Sequence, residues 1–181
     1  MRIGFRHCDP RFPFLWQSAA QPAARWHADG EGPANYFADT PTGAWAEFLR
    51  HEGITEEADL AGVRRSLWVV EIPDGPAATP SLPDRTLFGD ESSYPACQTE
   101  ARRLRAAGGL RLEARGAALL LGQARGWTAT PTATATVTRE TTARDGLVWV
   151  HFGPCPWVGW VAVSGGSPPP EVLPLVRYLQ V

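Results

Sequence analysis

Lysine is absent from this sequence of 181 residues, and all seventeen of its basic residues are arginine. The nineteen acidic residues leave a net charge of −2, so the chain has no basic excess of the kind that nucleic acids or anionic membranes attract. Arginine suits forked recognition of phosphate, but a bias spread over the whole chain locates no site. We therefore expect neither direct nucleic-acid binding nor membrane binding.

Cysteine is scarce and scattered. Cys8, Cys97 and Cys155 are an odd number, and none of them forms a CxxC pair. This pattern argues against a disulfide framework and against a thiolate zinc site, and the four histidines have no metal-ligand spacing. The sequence therefore predicts no metal centre and favours a reducing compartment.

Long apolar runs are also missing. No stretch approaches the ~20 apolar residues that a transmembrane helix needs. The opening residues MRIGFRHCDPRF are charged and lack the apolar core of a signal peptide. We expect a cytoplasmic protein.

What is present is a series of short strands and helices. Thr40 can cap a helix whose first residue is Pro41, and Gly108-Gly109 can end a later one. Strands are predicted at residues 2–7, 34–38, 67–72 and 110–121, the last broken by Gly116, and helices from Pro41, from Thr55 and over residues 96–107. The predicted fold class is α+β, with mainly antiparallel sheets and a few flanking helices.

The last third of the chain is rich in Thr, Val and Trp. A Thr/Ala stretch from Thr128 to Thr136 continues into clear strand patterns, with turn residues at Asp145-Gly146 and Gly153-Pro154. We interpret residues 128–163 as antiparallel hairpins. Because no linker composition interrupts the chain, we predict a single domain over residues 1–181.

Three chemically different side chains are evenly spaced in the run AARWHADGEGPANYFADTPTGAWAEFL. Arg25, Tyr36 and Glu47 follow one another at intervals of eleven residues. Each also has an ordinary interpretation: Arg25 can cover the neighbouring indole, Tyr36 can be strand core, and Glu47 can pair with Arg50 or His51 on an exposed helix. Only the joint pattern favours a site.

This run, together with the later block CQTEARRLRAAGGLRLEARGAALL, resembles the RES domain, a family of bacterial toxins usually paired with an antitoxin. The family pattern has a Gly-Arg-Trp-Asn motif, a tyrosine, a helical glutamate and, later, a serine. The resemblance covers roughly residues 5–122. Two positions depart from it: His27 stands where the family has asparagine, and Ala114 stands near the expected serine.

The resemblance implies an ADP-ribosyltransferase-like fold and cleavage of the nicotinamide–ribose bond of NAD, which is a substrate here. Glu47 would then stabilise the positive charge that develops on the ribose. Arg25 would hold the pyrophosphate, and Tyr36 would lie beside the cationic nicotinamide ring. Arg6, on the opening strand, is a further candidate for a phosphate contact.

Three functions stay open at this stage. The first is an NAD-depleting toxin that transfers ADP-ribose to water or phosphate, and the second is an ADP-ribosyltransferase that modifies a protein side chain in the same cleft. The third is a degenerate RES domain that binds a nucleotide or a partner without turnover, because Ala114 replaces the serine. A toxin implies a helix-turn-helix antitoxin as partner, and a homo- or hetero-oligomer is possible.

Overall fold

The computed structural model describes residues 1–124, 127–131, 136–140 and 143–179. Its strands are β1 (Arg2–Cys8), β2 (Ala34–Ala38), β3 (Arg65–Ile72), β4 (Arg111–Arg115), β5 (Trp127–Pro131), β6 (Thr136–Glu140), β7 (Leu147–Phe152) and β8 (Gly159–Gly166). Its α-helices are α1 (Pro41–Glu52), α2 (Asp84–Leu87) and α3 (Tyr94–Ala106), and short 3-10 helices cover Glu57–Gly62, Glu91–Ser93 and Pro170–Leu175. None of the helices in these ranges is both long and apolar enough to cross a bilayer.

Six strands form one sheet in the order β4-β7-β2-β1-β3-β8, and each neighbouring pair is antiparallel. β5 and β6 form a separate two-stranded sheet. This arrangement, with a few flanking helices, confirms the predicted α+β class with mainly antiparallel sheets.

The sheet opens between its two middle strands. β1 pairs with β3 from Arg2 to Cys8, and β2 pairs with β7 along its whole length. β1 and β2, however, are paired at one register position, where Phe5 lies opposite Ala38. Past this point the two ladders separate, so the middle of the sheet contains a split.

Helix α1 lies over the β1–β3 side of the split. The Thr40 hydroxyl accepts from the amide of Gly43 at 3.0 Å, and Pro41 is the first helical residue, as predicted. The helix ends at Gly53, whose φ of 64° is readily adopted only by glycine. Trp45, Phe48 and Leu49 bury its apolar face in a core cluster shared with Leu67 of β3.

Helix α3 covers the other half of the same face. Cys97, Ala101 and Leu104 pack against Leu112 of β4 and Val150 of β7. Each helix therefore covers mainly one ladder, although the core cluster of α1 also includes Ala38 of β2.

The opposite face of the sheet is covered by irregular chain. Phe14, Leu15 and Trp157 pack on Phe37 and Val70. Asn35 is fully buried and binds the backbone of Trp16 from both sides, since its Oδ1 accepts from the amide at 2.8 Å and its Nδ2 donates to the carbonyl at 2.9 Å. One side chain thus supplies the hydrogen bonds that a neighbouring strand would give this segment.

The hairpin interpretation of residues 128–163 is correct for β5 and β6 and wrong for β7 and β8. β7 lies between β4 and β2, whereas β8 lies at the far edge beside β3. The Gly153 amide donates to the Pro33 carbonyl at 2.8 Å, so the chain continues past β2 instead of turning back. Residue alternation predicted these strands but not their partners. Residues 132–135 of the Thr/Ala stretch lie outside the described residues.

Two further elements differ from expectation. The strand predicted over residues 110–121 ends at Arg115, and Gly116 instead donates its amide to the Gly146 carbonyl at 2.7 Å. The helix predicted from Thr55 is a 3-10 helix over Glu57–Gly62. β4 therefore ends at the break that Gly116 indicated, and Glu56, which precedes the 3-10 helix, makes no side-chain capping bond.

Candidate active site

A cleft of about 300 Å³ opens at the split between β1 and β2. Its walls come from these two strands, from α1, from residues 24–26 and from residues 89–94. The residues predicted from the sequence all line it: Arg6, Arg25, Tyr36 and Glu47. The structure therefore brings together in one cavity side chains from elements that are separate in sequence.

Glu47 projects from α1 into the cleft and is half-buried. It makes no ion pair with any residue in the described part of the chain. Burial raises the pKa of its carboxyl, while the charges of Arg25 and Arg50 and a hydrogen bond from the Ala118 backbone oppose that shift. Glu47 is thus a carboxylate near cations but not neutralised by contact with one.

Arg50 lies three residues after Glu47 on the same helix but does not pair with it. Its Nη1 donates to the carbonyls of Ala117 at 2.5 Å and Arg177 at 3.2 Å. Its Nη2 donates to the carbonyls of Phe88 at 2.8 Å and Gly89 at 2.7 Å. This buried guanidinium therefore fastens α1 to three other parts of the chain, and the exposed Glu47–Arg50 pair considered from the sequence does not form.

Arg25 is held in a similar way. Its Nη1 donates to the Thr86 carbonyl at 3.1 Å and to the Ser93 hydroxyl at 3.0 Å, and its guanidinium lies 4.9 Å from the centre of the Tyr94 ring. Its Nη2 donates to the Gly89 carbonyl at 2.7 Å. These bonds leave Nε and one Nη2 hydrogen for a ligand.

Gly89 is the point where the two arginines meet, because its carbonyl accepts from both Arg25 and Arg50. A Cβ added here would lie 2.8 Å from the Arg85 carbonyl oxygen and 2.9 Å from the Ser93 Cβ. Glycine therefore allows the close packing of this residue between Arg85 and Ser93.

Tyr36 forms part of the cleft wall, and its hydroxyl is fixed by the segment that carries Arg25. The hydroxyl accepts from the Trp26 amide at 3.1 Å and lies 2.8 Å from His27 Nδ1. His27 Nε2 lies 2.9 Å from the Pro22 carbonyl, which can only accept, so Nε2 carries the proton and Nδ1 accepts from Tyr36. Burial lowers the pKa of His27 and raises that of Tyr36, which keeps both groups neutral.

Arg6 reaches across the split from β1. Its Nη1 makes two long hydrogen bonds of 3.4 Å, to Asn35 Oδ1 and to the Tyr36 carbonyl. Its Nε is buried without a partner in the described residues, and burial lowers the pKa of the guanidinium to about 10. Arg6 thus has more hydrogen-bonding capacity in reserve than Arg25 or Arg50.

Comparison with known protein families gives a match to the RES domain over residues 1–144. The chain belongs to the RES domain family. The match extends beyond the region of resemblance, residues 5–122, and includes every predicted site residue. No curated protein matches the sequence.

Ala114 bears on how complete this RES domain is. It is buried on β4 against α3, with 4% of its surface exposed, and it is not among the residues that line the described cleft. The serine hydroxyl that contacts Arg25 belongs to Ser93, at the start of α3. Ala114 itself therefore contributes no atom to the described cleft wall.

Sequence reasoning overlooked Arg50, Gly89, Ser93 and Tyr94. The position of Arg50, one helical turn from Glu47, was a usable signal. Gly89 and Ser93 lie just before α3, and Tyr94 is its first residue. Nothing in the sequence of that segment indicated contact with Arg25. In the described ranges no group of three or more His, Cys, Asp or Glu side chains could hold a metal ion.

Proposed function

We propose that this RES domain cleaves the bond between nicotinamide and ribose in NAD, and that Glu47 is the catalytic carboxylate. The observation that carries the proposal is the position of Glu47. It lies half-buried in the cleft and forms no ion pair in the described part of the chain, and the cleft is also lined by four arginines and an aromatic wall. A carboxylate in a partly water-excluded site interacts strongly with positive charge that develops beside it.

The reaction places that charge on the ribose. Nicotinamide departs with the electron pair of the glycosidic bond and becomes neutral, while the ribose becomes oxocarbenium-like. Glu47 stabilises this cation. A water molecule or a phosphate oxygen then forms the new bond to the anomeric carbon, and an attacking water passes its proton to the solvent.

The pyrophosphate of NAD fits the arginine side of the cleft. Arg6 supports a phosphate contact better than Arg25 does, because its two hydrogen bonds are long and its Nη2 makes none in the described residues. Arg25 contributes its positive charge and the two N–H donors, on Nε and Nη2, that are not bonded to the described part of the protein. We assign the pyrophosphate to both residues, with Arg6 as the stronger ligand.

Tyr36 is the proposed wall beside the nicotinamide. Its hydroxyl is occupied by Trp26 and His27, so its ring orientation is set before a ligand enters. An aromatic face attracts a cationic ring by about 1 kcal/mol. That attraction is lost when nicotinamide becomes neutral, so Tyr36 contributes to binding and orientation more than to the bond-breaking step.

An enzyme that depletes NAD is toxic to the cell that makes it. We therefore propose that the protein acts as a toxin in the cytoplasm and is neutralised by a helix-turn-helix antitoxin in a hetero-oligomer. This part rests on the family alone. Finding no antitoxin gene beside that of the RES domain would count against it without affecting the chemistry.

The direct test is to incubate the purified protein with NAD, with and without phosphate, and to separate nicotinamide from the ribosyl product by chromatography. Glu47→Gln is expected to release nicotinamide about 100-fold more slowly or worse. Glu52→Gln makes the same chemical change at an exposed position of the same helix and should leave the rate unchanged. Equal rates for Glu47→Gln and wild type would refute the catalytic role.

The same experiment distinguishes the possible acceptors of ADP-ribose. Faster product formation with phosphate indicates phosphorolysis, and no dependence on phosphate indicates hydrolysis. Transfer of labelled ADP-ribose from NAD to lysate proteins would instead identify a protein ADP-ribosyltransferase. Binding of NAD without any product would identify a non-catalytic RES domain.

A further inference from the structure

His7 of β1 lines the cleft on the same wall as Arg6. Its Nδ1 lies 3.2 Å from Nη2 of Arg65 on the neighbouring strand β3. Because a guanidinium only donates, Nδ1 must accept, and the proton of the neutral ring must be on Nε2. Burial and the charges of Arg65, Arg6 and His51 lower the pKa of His7 to about 3, so the ring stays neutral near pH 7.

The Nε2–H group of His7 has no hydrogen-bond partner in the described part of the protein, yet it is not among the buried unpaired atoms there. It is therefore open to the cleft that the residue lines. The ring is held from the other side by an edge contact with Phe48, with centroids 5.3 Å apart. A fixed donor is thus open to the cavity, and no acceptor in the described residues receives it.

The surroundings of His7 are positive. The Nε atoms of Arg6 and Arg65 are both buried without partners, and neither arginine makes an ion pair in the described ranges. Arg65 is further fixed by its position 5.0 Å from the centre of the Phe48 ring. Unpaired cationic groups and a directed neutral donor favour an anionic oxygen over a neutral one.

We propose that His7 donates its Nε2–H to a phosphate-type oxygen of the ligand, and that Arg65 is the positioning residue that holds His7 in the required tautomer. The identification of that ligand as a dinucleotide rests on the proposed function. Within that function it assigns the pyrophosphate to the β1 end of the cleft and the nicotinamide to the end near Tyr36.

The tautomer and the ligand contact can be tested together on the wild-type protein. In protein labelled with ¹⁵N-histidine, His7 should show the Nε2–H tautomer at neutral pH. Its ring signals should shift on titration with inorganic pyrophosphate or ADP-ribose and stay in place with nicotinamide. An Nδ1–H tautomer, or a response to nicotinamide and none to pyrophosphate, would overturn the proposal.

Variants of His7 and Arg65 test how much the proposed contact contributes to ligand affinity. Gln keeps one acceptor and one donor, as in the neutral imidazole, whereas Phe keeps the ring contact with Phe48 and removes both. We expect the dissociation constant for ADP-ribose, measured by calorimetry, to rise about tenfold or more in His7→Phe and to stay within a few-fold of wild type in His7→Gln. Arg65→Met should lose less affinity than His7→Phe and should populate both tautomers of His7.

His151→Phe is the matched control. His151 lies on β7 and lines a different, smaller cavity that also contains Trp149 and Trp157, so its substitution should not change affinity for ADP-ribose. Unchanged affinity in a folded His7→Phe variant would refute the proposal. Nicotinamide release is measured separately: pyrophosphate binding through His7 without NAD cleavage contradicts only the proposed function, and NAD cleavage with unchanged KM in His7→Phe contradicts only this inference.

Discussion

The two walls of the cleft use their polar groups in opposite ways. On the loop wall, formed by Arg25, Arg50 and Gly89, the guanidinium groups are largely occupied by backbone carbonyls at 2.5–3.2 Å. On the strand wall, formed by Arg6 and His7, the bonds to the protein are few or long, and donor groups are left over. Both walls are positively charged, but the strand wall has more donors left for a ligand than the loop wall has.

This difference separates structural arginines from ligand-binding ones. A hydrogen bond from a charged group to a buried carbonyl stabilises the fold, and removing the donor leaves the carbonyl unsatisfied. A buried donor without a partner instead costs stability until a ligand supplies the acceptor. The comparison therefore predicts that substitution of Arg50 mainly affects folding, that substitution of Arg6 mainly affects binding, and that substitution of Arg25 affects both.

The largest effect is expected for Arg50→Met on the loop wall. Its loss leaves four backbone carbonyls with one donor fewer, so the free energy of unfolding should fall by about 3 kcal/mol or more in urea titrations. Arg64→Met removes an exposed arginine that donates to carbonyls close by in sequence, and it should change stability by less than about 0.5 kcal/mol. Similar stabilities for the two variants would contradict the structural role assigned to Arg50.

An intermediate effect, on binding and not on folding, is expected for Arg6→Met on the strand wall. The dissociation constant for NAD or ADP-ribose should rise about tenfold or more, since a charged hydrogen-bond donor to phosphate is lost. The free energy of unfolding should stay the same or increase, because the buried guanidinium has poor protein partners. A variant that binds normally but unfolds readily would place Arg6 with the structural arginines.

The smallest effect concerns Glu47, which lies between the walls. Its folded-state pKa is raised above its ordinary value of 4.5, so the folded protein binds this proton more tightly than the unfolded chain does. Glu47 therefore lowers stability increasingly as pH rises from about 4.5 through the folded-state pKa, and the loss is complete above it. Glu47→Gln should remove this loss.

Urea titrations from pH 4 to pH 8 check the direction of this pH dependence of stability. The stability of Glu47→Gln relative to wild type should grow with pH and then level off, whereas Glu52→Gln should show no such trend. A variant that loses stability relative to wild type as pH rises would mean that Glu47 is paired in the folded protein.

Short-range features were predictable from the sequence. The Thr40 cap, Pro41 and the strand over residues 34–38 are set by neighbours within a few residues, and the structure has each of them. The spacing of Arg25, Tyr36 and Glu47 was also informative, because a strand followed directly by a helix brings these residues to one cavity.

Features that depend on distant partners were not predictable in this way. Arg50 bonds to carbonyls 38 to 127 residues away, and the role of His7 depends on a strand that begins at Arg65. Alternation identified β7 and β8 as strands but carried no information about which strands they join. Ala114 was judged by its place in a motif, whereas its packing against α3 decides what its side chain can reach.

The split between β1 and β2 also affects how freely the site can change in evolution. The ladder of β1, β3 and β8 and the ladder of β2, β4 and β7 are each complete, and each is covered by its own helix. Arg6 and His7 lie at the gap and touch the core at its edge, through Phe37 and Phe48. We therefore expect substitutions at the gap to alter ligand preference with less effect on foldability than substitutions inside either core cluster.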